Sequence, residues 1–335
     1  MTFECCIFDA EMINFILYLV TFMLLQAVPS WLRNQEPAGE VSIMFWNLEN
    51  FFDWKASNGG EEFSSYGKRH WTKRKFEAKS NAVAKSILWI ADQEGGLPDI
   101  AGLAEIENRF VLKELLEETS LRKAGYSIVH YDSLDPRGID VALLYRPNRV
   151  TLLESNPLRI PGLTTRDILL AQFLSEYGDT LAVLVNHHPS KYGPDSGQKR
   201  EAALQRLRMV TDSLQSEGIR NIVAIGDFND TPDNPAFRIL TGNGPQPGLE
   251  DLAAPLQKKG TGTIKYSGKW ELIDLVFASE TLVNEGRISE MKVIRIPFLT
   301  VRDNTHSGEK PLRTYTGPKY SRGVSDHRPI MIKIR

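Results

Sequence analysis

The sequence predicts an α/β fold built as a single domain, and three observations carry that expectation. Short apolar runs bounded by turn residues recur along the chain, and amphipathic stretches at helical spacing fall between several of them. From Glu40 onward no repeat, low-complexity tract or long Pro/Gly/Ser linker divides the chain. The 335 residues are 41% hydrophobic and 24% charged, which excludes a disordered, collagen-like or coiled-coil chain and leaves material for a large core.

The first 36 residues are of a different character from the rest. Ile13 to Val28 is an apolar stretch longer than a typical signal h-region and shorter than the ~20 residues a membrane span needs. It is expected to be an export signal, with a retained N-terminal anchor as the alternative. Glu4, Asp9 and Glu11 precede it where a signal carries bases, and initiation at Met12 would remove all three. The pairs Val28/Ser30 and Leu25/Ala27 offer small-residue cleavage signals. Both cysteines, Cys5 and Cys6, lie upstream of the apolar run, so the body from residue 37 to 335 has neither disulfide nor thiolate chemistry.

Within the body, strands are expected at Val41 to Trp46, Asp99 to Ala104, Val141 to Tyr145, Leu181 to Val185, Asn221 to Ile225, Leu272 to Ala278 and Pro329 to Ile334. Thr72 can cap a helix whose apolar face is Phe76, Val83, Ala84, Ile87 and Ala91. Asn108 can cap a second, carrying Val111, Leu112, Leu115 and Leu116. A third runs from Ser196 to Glu217, with Gly218 placed to end it.

The polar residues cluster at strand ends. Four apolar runs lead into Asn47 and Glu49, into Glu105, into Asn186, His187 and His188, and into Asp227 and Asn229. If these ends share one edge, their carboxylates repel one another unless a cation sits among them. Hard oxygens with imidazoles and no thiolates suit Mg²⁺, with Mn²⁺ or Ca²⁺ as alternatives, better than zinc. Glu105 is the strongest candidate ligand, since a solvated loop acid is a poor match for so apolar a strand. In Gly226 to Asp230 (GDFND), Asp227 and Asn229 stand two apart, so in extended chain both point to one side. An Asp beside an Asn suits orienting a water while an amide donates to a phosphoryl oxygen; an Asx-turn before Thr231-Pro232 is an equal reading. Asp274 and the Asp326-His327 pair complete the set. Adjacent strand residues face opposite ways, so Asp326 and His327 can share a site only at a bend.

These strings, NLEN (47–50), Glu105, NHH (186–188), GDFND, LIDLVFAS around Asp274 and SDHRP (325–329), resemble in order and spacing the endonuclease/exonuclease/phosphatase superfamily. Its members include secreted deoxyribonucleases, abasic-site endonucleases, neutral sphingomyelinases and inositol polyphosphate 5-phosphatases. The resemblance covers residues 40 to 335 and implies a four-layered α/β sandwich, two packed mixed sheets flanked by helices, carrying a divalent-metal phosphoesterase. It implies metal ligation by Glu105, Asn47 and Asp326, and water orientation by Asp227. Asn229 would contact the phosphate, and His327 paired with Asp274 would stabilise the transition state. His187 matches the family's catalytic histidine. His188-Pro189-Ser190-Lys191 departs from the aromatic-Lys-Ser run frequent at that place, which leaves the roles of His188 and Lys191 open. Arg137, in an Arg-Gly-Ile-Asp string, either reaches the phosphate or forms a structural ion pair.

The total charge of -2, from 40 bases and 42 acids, gives no global field for a polyanion, but the charge is uneven. Without residues 1–36 the remainder is net +1. Five bases fall between Lys68 and Lys75, and Thr300 to Ser325 holds five more, with Tyr315 and Tyr320 interleaved as possible stacking partners for bases. Arg137, Lys191, Arg313 and Arg322 are the candidate substrate contacts. The expectation is an exported, low-specificity nuclease with nucleic acid as substrate. The alternatives are a phosphatase or a phospholipid or inositol-phosphate phosphodiesterase, and, from another class, a non-catalytic binding module.

Overall fold

The computed structural model describes residues 39–55, 62–175, 178–242 and 244–335. The apolar segment at 13–28 and both cysteines lie outside the described residues. In chain order the strands are β1 (Val41–Phe51), β2 (Ile100–Ile106), β3 (Ser127–His130), β4 (Asp140–Tyr145), β5 (Thr151–Leu158), β6 (Ile168–Leu174), β7 (Thr180–His187), β8 (Asn221–Asp227) and β9 (Leu249–Asp251). They continue as β10 (Ile264–Tyr266), β11 (Lys269–Glu271), β12 (Asp274–Ser279), β13 (Lys292–Val293), β14 (Thr300–Arg302), β15 (Glu309–Pro311), β16 (Tyr315–Thr316), β17 (Lys319–Tyr320) and β18 (Ile330–Ile334). The long helices are α1 (Lys73–Glu94), α2 (Arg109–Glu117) and α3 (Ser196–Ser216).

Two six-stranded mixed sheets form the body, in the orders β13-β18-β1-β2-β4-β3 and β5-β6-β7-β8-β12-β9. Each has one parallel pair at its centre, β1 with β2 and β7 with β8, and each parallel crossover is made by a long helix, α1 or α3. The period-2 alternation of β1 shows how sequence sets the layers. Ile43 and Phe45 join the core shared with Val183, Val185 and Ile225 of the other sheet. Met44 and Trp46 join a second core under Phe76, Val83, Ala84 and Ile87 of α1 and Val111, Leu112 and Leu115 of α2. Leu204, Leu207 and Leu214 of α3 pack with the second sheet. The result is the helix, sheet, sheet, helix sandwich that the sequence predicted.

Burying each of these Leu, Ile or Phe side chains contributes roughly 1.5–3 kcal/mol, more than a helix cap supplies. The caps differ accordingly. Asn108 accepts a 3.1 Å bond from the Val111 amide, whereas Thr72 occupies the N-cap of α1 without a side-chain bond, and that helix is held by its apolar face. Where the sheets meet, Gly102 of β2 leaves no room for a side chain: a Cβ there would lie 3.1 Å from Val185 and 3.2 Å from Phe45. Within the two sheets, β3, β5, β6, β9 and β13 were not foreseen. β5 is an edge strand with half or more of its residues exposed, so it lacks the apolar pattern that marks the central strands.

Candidate active site

Strand register gathers the polar ends. Across β7, β8 and β12, His187 pairs with Asp227 and Asp227 with Asp274, so three functional side chains stand in one row. In the facing sheet, the β1–β2 and β2–β4 ladders both slip at their ends, between Asn47 and Phe51 and between Ala104 and Ile106. The slips coincide with left-handed backbone at Glu49 (φ 46°), Asn50 (φ 53°) and Glu105 (φ 61°). With Asn229 (φ 53°) these make four of the eight non-glycine residues of positive φ among the described residues. Such conformations cost about 1–3 kcal/mol each and are kept where the surroundings over-determine them. Here the bulged strand ends bring Glu105 within 4.0 Å of His187 on the opposite sheet, while Glu49 is turned to Arg313 and Asn50 to Arg137.

The third contribution is the bend before β18. Ser325 Oγ donates to the Asn47 carbonyl (2.6 Å) and accepts from the His327 amide (2.9 Å), and Trp46 Nε1 donates to the His327 carbonyl (3.0 Å). The bend lets Asp326 and the neighbouring His327 face one site.

The side chains then form a continuous chain of contacts. Glu105 Oε1 lies 4.0 Å from His187 Nε2, which is 3.6 Å from Asp227 Oδ2. Asp227 Oδ2 accepts from Asn47 Nδ2 (3.0 Å) and lies 3.8 Å from His327 Nε2, which is 3.9 Å from Asp326 Oδ1. His327 Nδ1 donates to Asp274 Oδ2 at 2.8 Å. Asn50 N donates to Glu105 Oε2 (2.7 Å), and the Arg137 guanidinium bonds Asn50 Oδ1 (2.9 Å) and lies 3.4 Å from Glu105.

Electrostatics follow from this crowding in a dry site. Burial, with Asp274 alongside, pushes the Asp227 carboxyl up to about 7. Burial and the charge of Asp326 push Glu49 up to about 7 as well, against the pull of Arg313 and Lys79. Burial alone would lower His327, but Asp274, Asp227 and Asp326 together hold its imidazole well above the ordinary range. His187, buried and near Arg166 and Arg137, is held well below it. Carboxyls raised by burial and by neighbouring acids are the setting a cation relieves, and the donor set of carboxylate and amide oxygens fits a hard divalent ion. Glu105 and Asp326, with 13% and 21% of their side chains exposed, are the acids open to solvent, and with Asn47 they could hold it. Asp227, Asp274 and His327 also place one ligand atom each within 4.8 Å of one another. There Asp274 is already engaged by His327.

Not every predicted contact falls as the sequence suggested. Asp227 and Asn229 share a side through a turn, not through strand alternation. The Asn229 amide N–H donates to Asp227 Oδ1 (2.9 Å) in an Asx-turn, and Asn229 Nδ2 donates to the His188 carbonyl (2.9 Å). His188 itself packs behind the site against Phe228, at 4.7 Å between rings. Lys191 sits at the rim, paired with Glu271 at 2.9 Å. Arg322 is exposed beyond β17 and makes none of the contacts that join the others. Tyr315 does not offer a stacking face: it is buried among Phe63 and Trp71, with its hydroxyl donating to the Arg69 carbonyl (2.9 Å). Glu49 was noted at its strand end without a role, and Lys79 was missed. Lys79 on α1, 1% exposed, donates to the Glu49 carbonyl and to Thr314 Oγ1 (2.8 Å), while the Arg313 guanidinium grips Glu49 Oε1 (2.7 Å) and Asp326 Oδ2 (3.1 Å). The available signal was a lysine three residues after Phe76, on the apolar stripe of its helix.

Known proteins place this geometry. The sequence profile of the Endonuclease/Exonuclease/phosphatase family matches residues 42–335. The chain belongs to that family. It is therefore a metal-dependent phosphoric ester hydrolase, and the alternative of a non-catalytic binding module falls. Among solved structures, truncated Caenorhabditis elegans TDP2 is 14% identical, with 89% of this chain and 99% of that one covered at a TM-score of 0.57. Danio rerio TDP2 complexed with single-strand DNA product is 16% identical over 88% of this chain and 99% of that one, at 0.54. A mannosyl-6-phosphatase of Bacteroides thetaiotaomicron is 15% identical over 87% and 98%, at 0.56. At these identities the likeness is one of fold. No curated protein matches the chain.

Proposed function

We propose that this enzyme is an exported, Mg²⁺-dependent nuclease of low sequence specificity that hydrolyses phosphodiester bonds of nucleic acids with activated water. The observation that carries the substrate is a cleft of about 530 Å³ beside the carboxylates, lined by Arg69, Arg137, Lys265, Lys310 and Arg313. Export rests on the apolar segment at 13–28.

The residues divide the work by environment. Glu105, Asn47 and Asp326 would hold the metal, which when bound would supply Lewis-acid polarisation of the phosphoryl group. Asp227, fixed by hydrogen bonds from Asn47 and the Asn229 amide, orients the attacking water and accepts its proton. His327, kept charged by Asp274, stabilises negative charge growing on the phosphoryl oxygens. His187, held neutral, can donate a hydrogen bond without adding a charge.

A phosphomonoester or phospholipid head group is the second reading, and the pairing of the cleft's cations favours it. Lys265 and Lys310 share the Asp303 carboxylate, and Glu62 holds Arg69. Purified protein in Mg²⁺ or Mn²⁺, with and without chelator, assayed on single- and double-stranded DNA and RNA beside lipid and sugar phosphates, decides between them. Nucleic-acid cleavage lost in Asp227→Ala supports the first. Turnover of the small phosphates alone sinks it.

A further inference from the structure

The group of Lys79, Glu49 and Arg313 lies beside the proposed metal site, with Arg313 on the Asp326 carboxylate, and leads from α1 to the mouth of the cleft. Lys79 is sealed beneath the left-handed turn at Glu49 and ties that turn's carbonyl to the hydroxyl of Thr314, which in turn donates to the Val324 carbonyl (2.9 Å). The Glu49 side chain is buried and points the other way, where Arg313 Nε donates to Oε1 at 2.8 Å and the Thr314 amide approaches Oε2 at 3.4 Å. Arg313 is thus held by its guanidinium, Nε and Nη2 on Glu49 and Nη2 also 3.1 Å from Asp326, while 49% of its side chain stays exposed and lines the cleft. Arg137, also half-exposed and lining the cleft, is anchored in the same manner on Asn50 and Glu105. With Asp326 counted in, two cations, Lys79 and Arg313, face two carboxylates, Glu49 and Asp326. A divalent ion on Asp326 would leave a positive excess facing the cleft, one step from the phosphate under attack.

We propose that Glu49, braced by Lys79, is a positioning residue that fixes Arg313 as a subsite for a second phosphate, so that substrates bearing a phosphate next to the scissile one are preferred. The proposal deepens the nucleic-acid reading and rests on it for the identity of that second phosphate as the next one along a strand. An arginine pre-oriented by a carboxylate loses little freedom on gripping an anion, which is the setting where one charge-assisted contact changes affinity by about tenfold or more.

The test is calorimetric binding of thymidine 5′-monophosphate and thymidine 3′,5′-bisphosphate to the Mg²⁺-loaded protein. Wild type is expected to bind the bisphosphate at least about tenfold more tightly. That preference should collapse to within about twofold in Arg313→Gln and in Glu49→Gln, with an intermediate ratio for Arg313→Lys, which keeps the charge and loses the fork. Because Arg313 is half-exposed, its lysine variant keeps the comparison open should Glu49→Gln fail to fold. A bisphosphate preference equal to wild type in the Arg313 variants overturns the subsite. Oligonucleotide cleavage by wild type is measured in parallel. Cleavage with an Arg313-independent ratio defeats the subsite alone, whereas an Arg313-dependent ratio without cleavage defeats the nucleic-acid reading and leaves the subsite standing.

Discussion

Asp274→Asn is the sharpest single test of the charge arrangement around His327. Asp274 is fully buried, and its Oδ2 receives the only hydrogen bond assigned to His327 Nδ1, at 2.8 Å. The asparagine keeps shape and volume while removing the charge that holds the imidazolium. A hydrogen bond to a charged group is worth about 1.5–3 kcal/mol. Expressed only when charge develops on the phosphoryl group, that loss lowers kcat by roughly ten- to hundred-fold, at about 1.4 kcal/mol per decade. The pH dependence moves too. A folded-state pKa above the ordinary value keeps His327 protonated below that raised value, so activity needing the imidazolium is lost as pH climbs through it. Without Asp274 that loss begins at lower pH. Initial rates with bis(4-nitrophenyl) phosphate in Mg²⁺ across pH 5–9, with folding checked by circular dichroism, measure both effects. A kcat within twofold of wild type and an unmoved alkaline limb would refute the role given to this pair.

Other perturbations probe the scaffold. Burial holds the His188 imidazole neutral, down to about 3, so below pH 6.5 the unfolded chain takes up a proton that the folded one refuses, and stability falls as pH drops. His188→Asn should remove about 2 kcal/mol of the loss between pH 7 and 5, read from urea midpoints; an identical slope in the variant contradicts it. A Cβ at Gly226 would lie 2.1 Å from the Asn186 carbonyl across β7 and β8, so Gly226→Ala must part the strands beside His187 and Asp227. It is expected to cost about 1–3 kcal/mol and to depress kcat, and a wild-type melt with wild-type kcat counts against it. Lys79→Met leaves the Glu49 carbonyl and Thr314 hydroxyl without their donor, for a destabilisation of about 1–3 kcal/mol at pH 7, measured by thermal unfolding. No loss there would show that the lysine is not a brace.

Most of this site was legible because its residues interrupt apolar strands. An acid at the end of Ile100–Ile106 or an Asp at the end of Asn221–Asp227 has no packing reason to be there, and the register of a parallel pair brings such ends together. Asp326 and His327 were legible with a condition, a bend, and Ser325 supplies it through two hydrogen bonds. What escaped had no local signature. Lys79 looks like a helix-surface residue until α1 is docked, and Glu49 looks like a rim acid until the β1 bulge turns its backbone inward. Tyr315 shows the opposite error: a tyrosine among bases suggests a stacking platform, but Phe63 and Trp71, more than 240 residues away in sequence, claim its ring first. Charge runs mislead in the same manner: Asp303, inside the stretch that seemed basic, pairs with Lys310 of that stretch and with Lys265 from outside it.

The division of the site between two sheets bears on how activity is acquired. Asn47, Glu105 and the bend at Asp326 belong to one sheet, while His187, Asp227 and Asp274 belong to the other, so a chain with either sheet alone is inert. The β1–β18 pairing, Val41 with Ile334, is the longest-range strand pairing among the described residues, and long loops close late because their entropy is lost before any contact repays it. Hydrolysis should therefore appear last in refolding, after the β7–β8 half has formed its core, which makes the enzyme silent as an intermediate. Until β1 and β18 pair, the two halves of the candidate site stay apart.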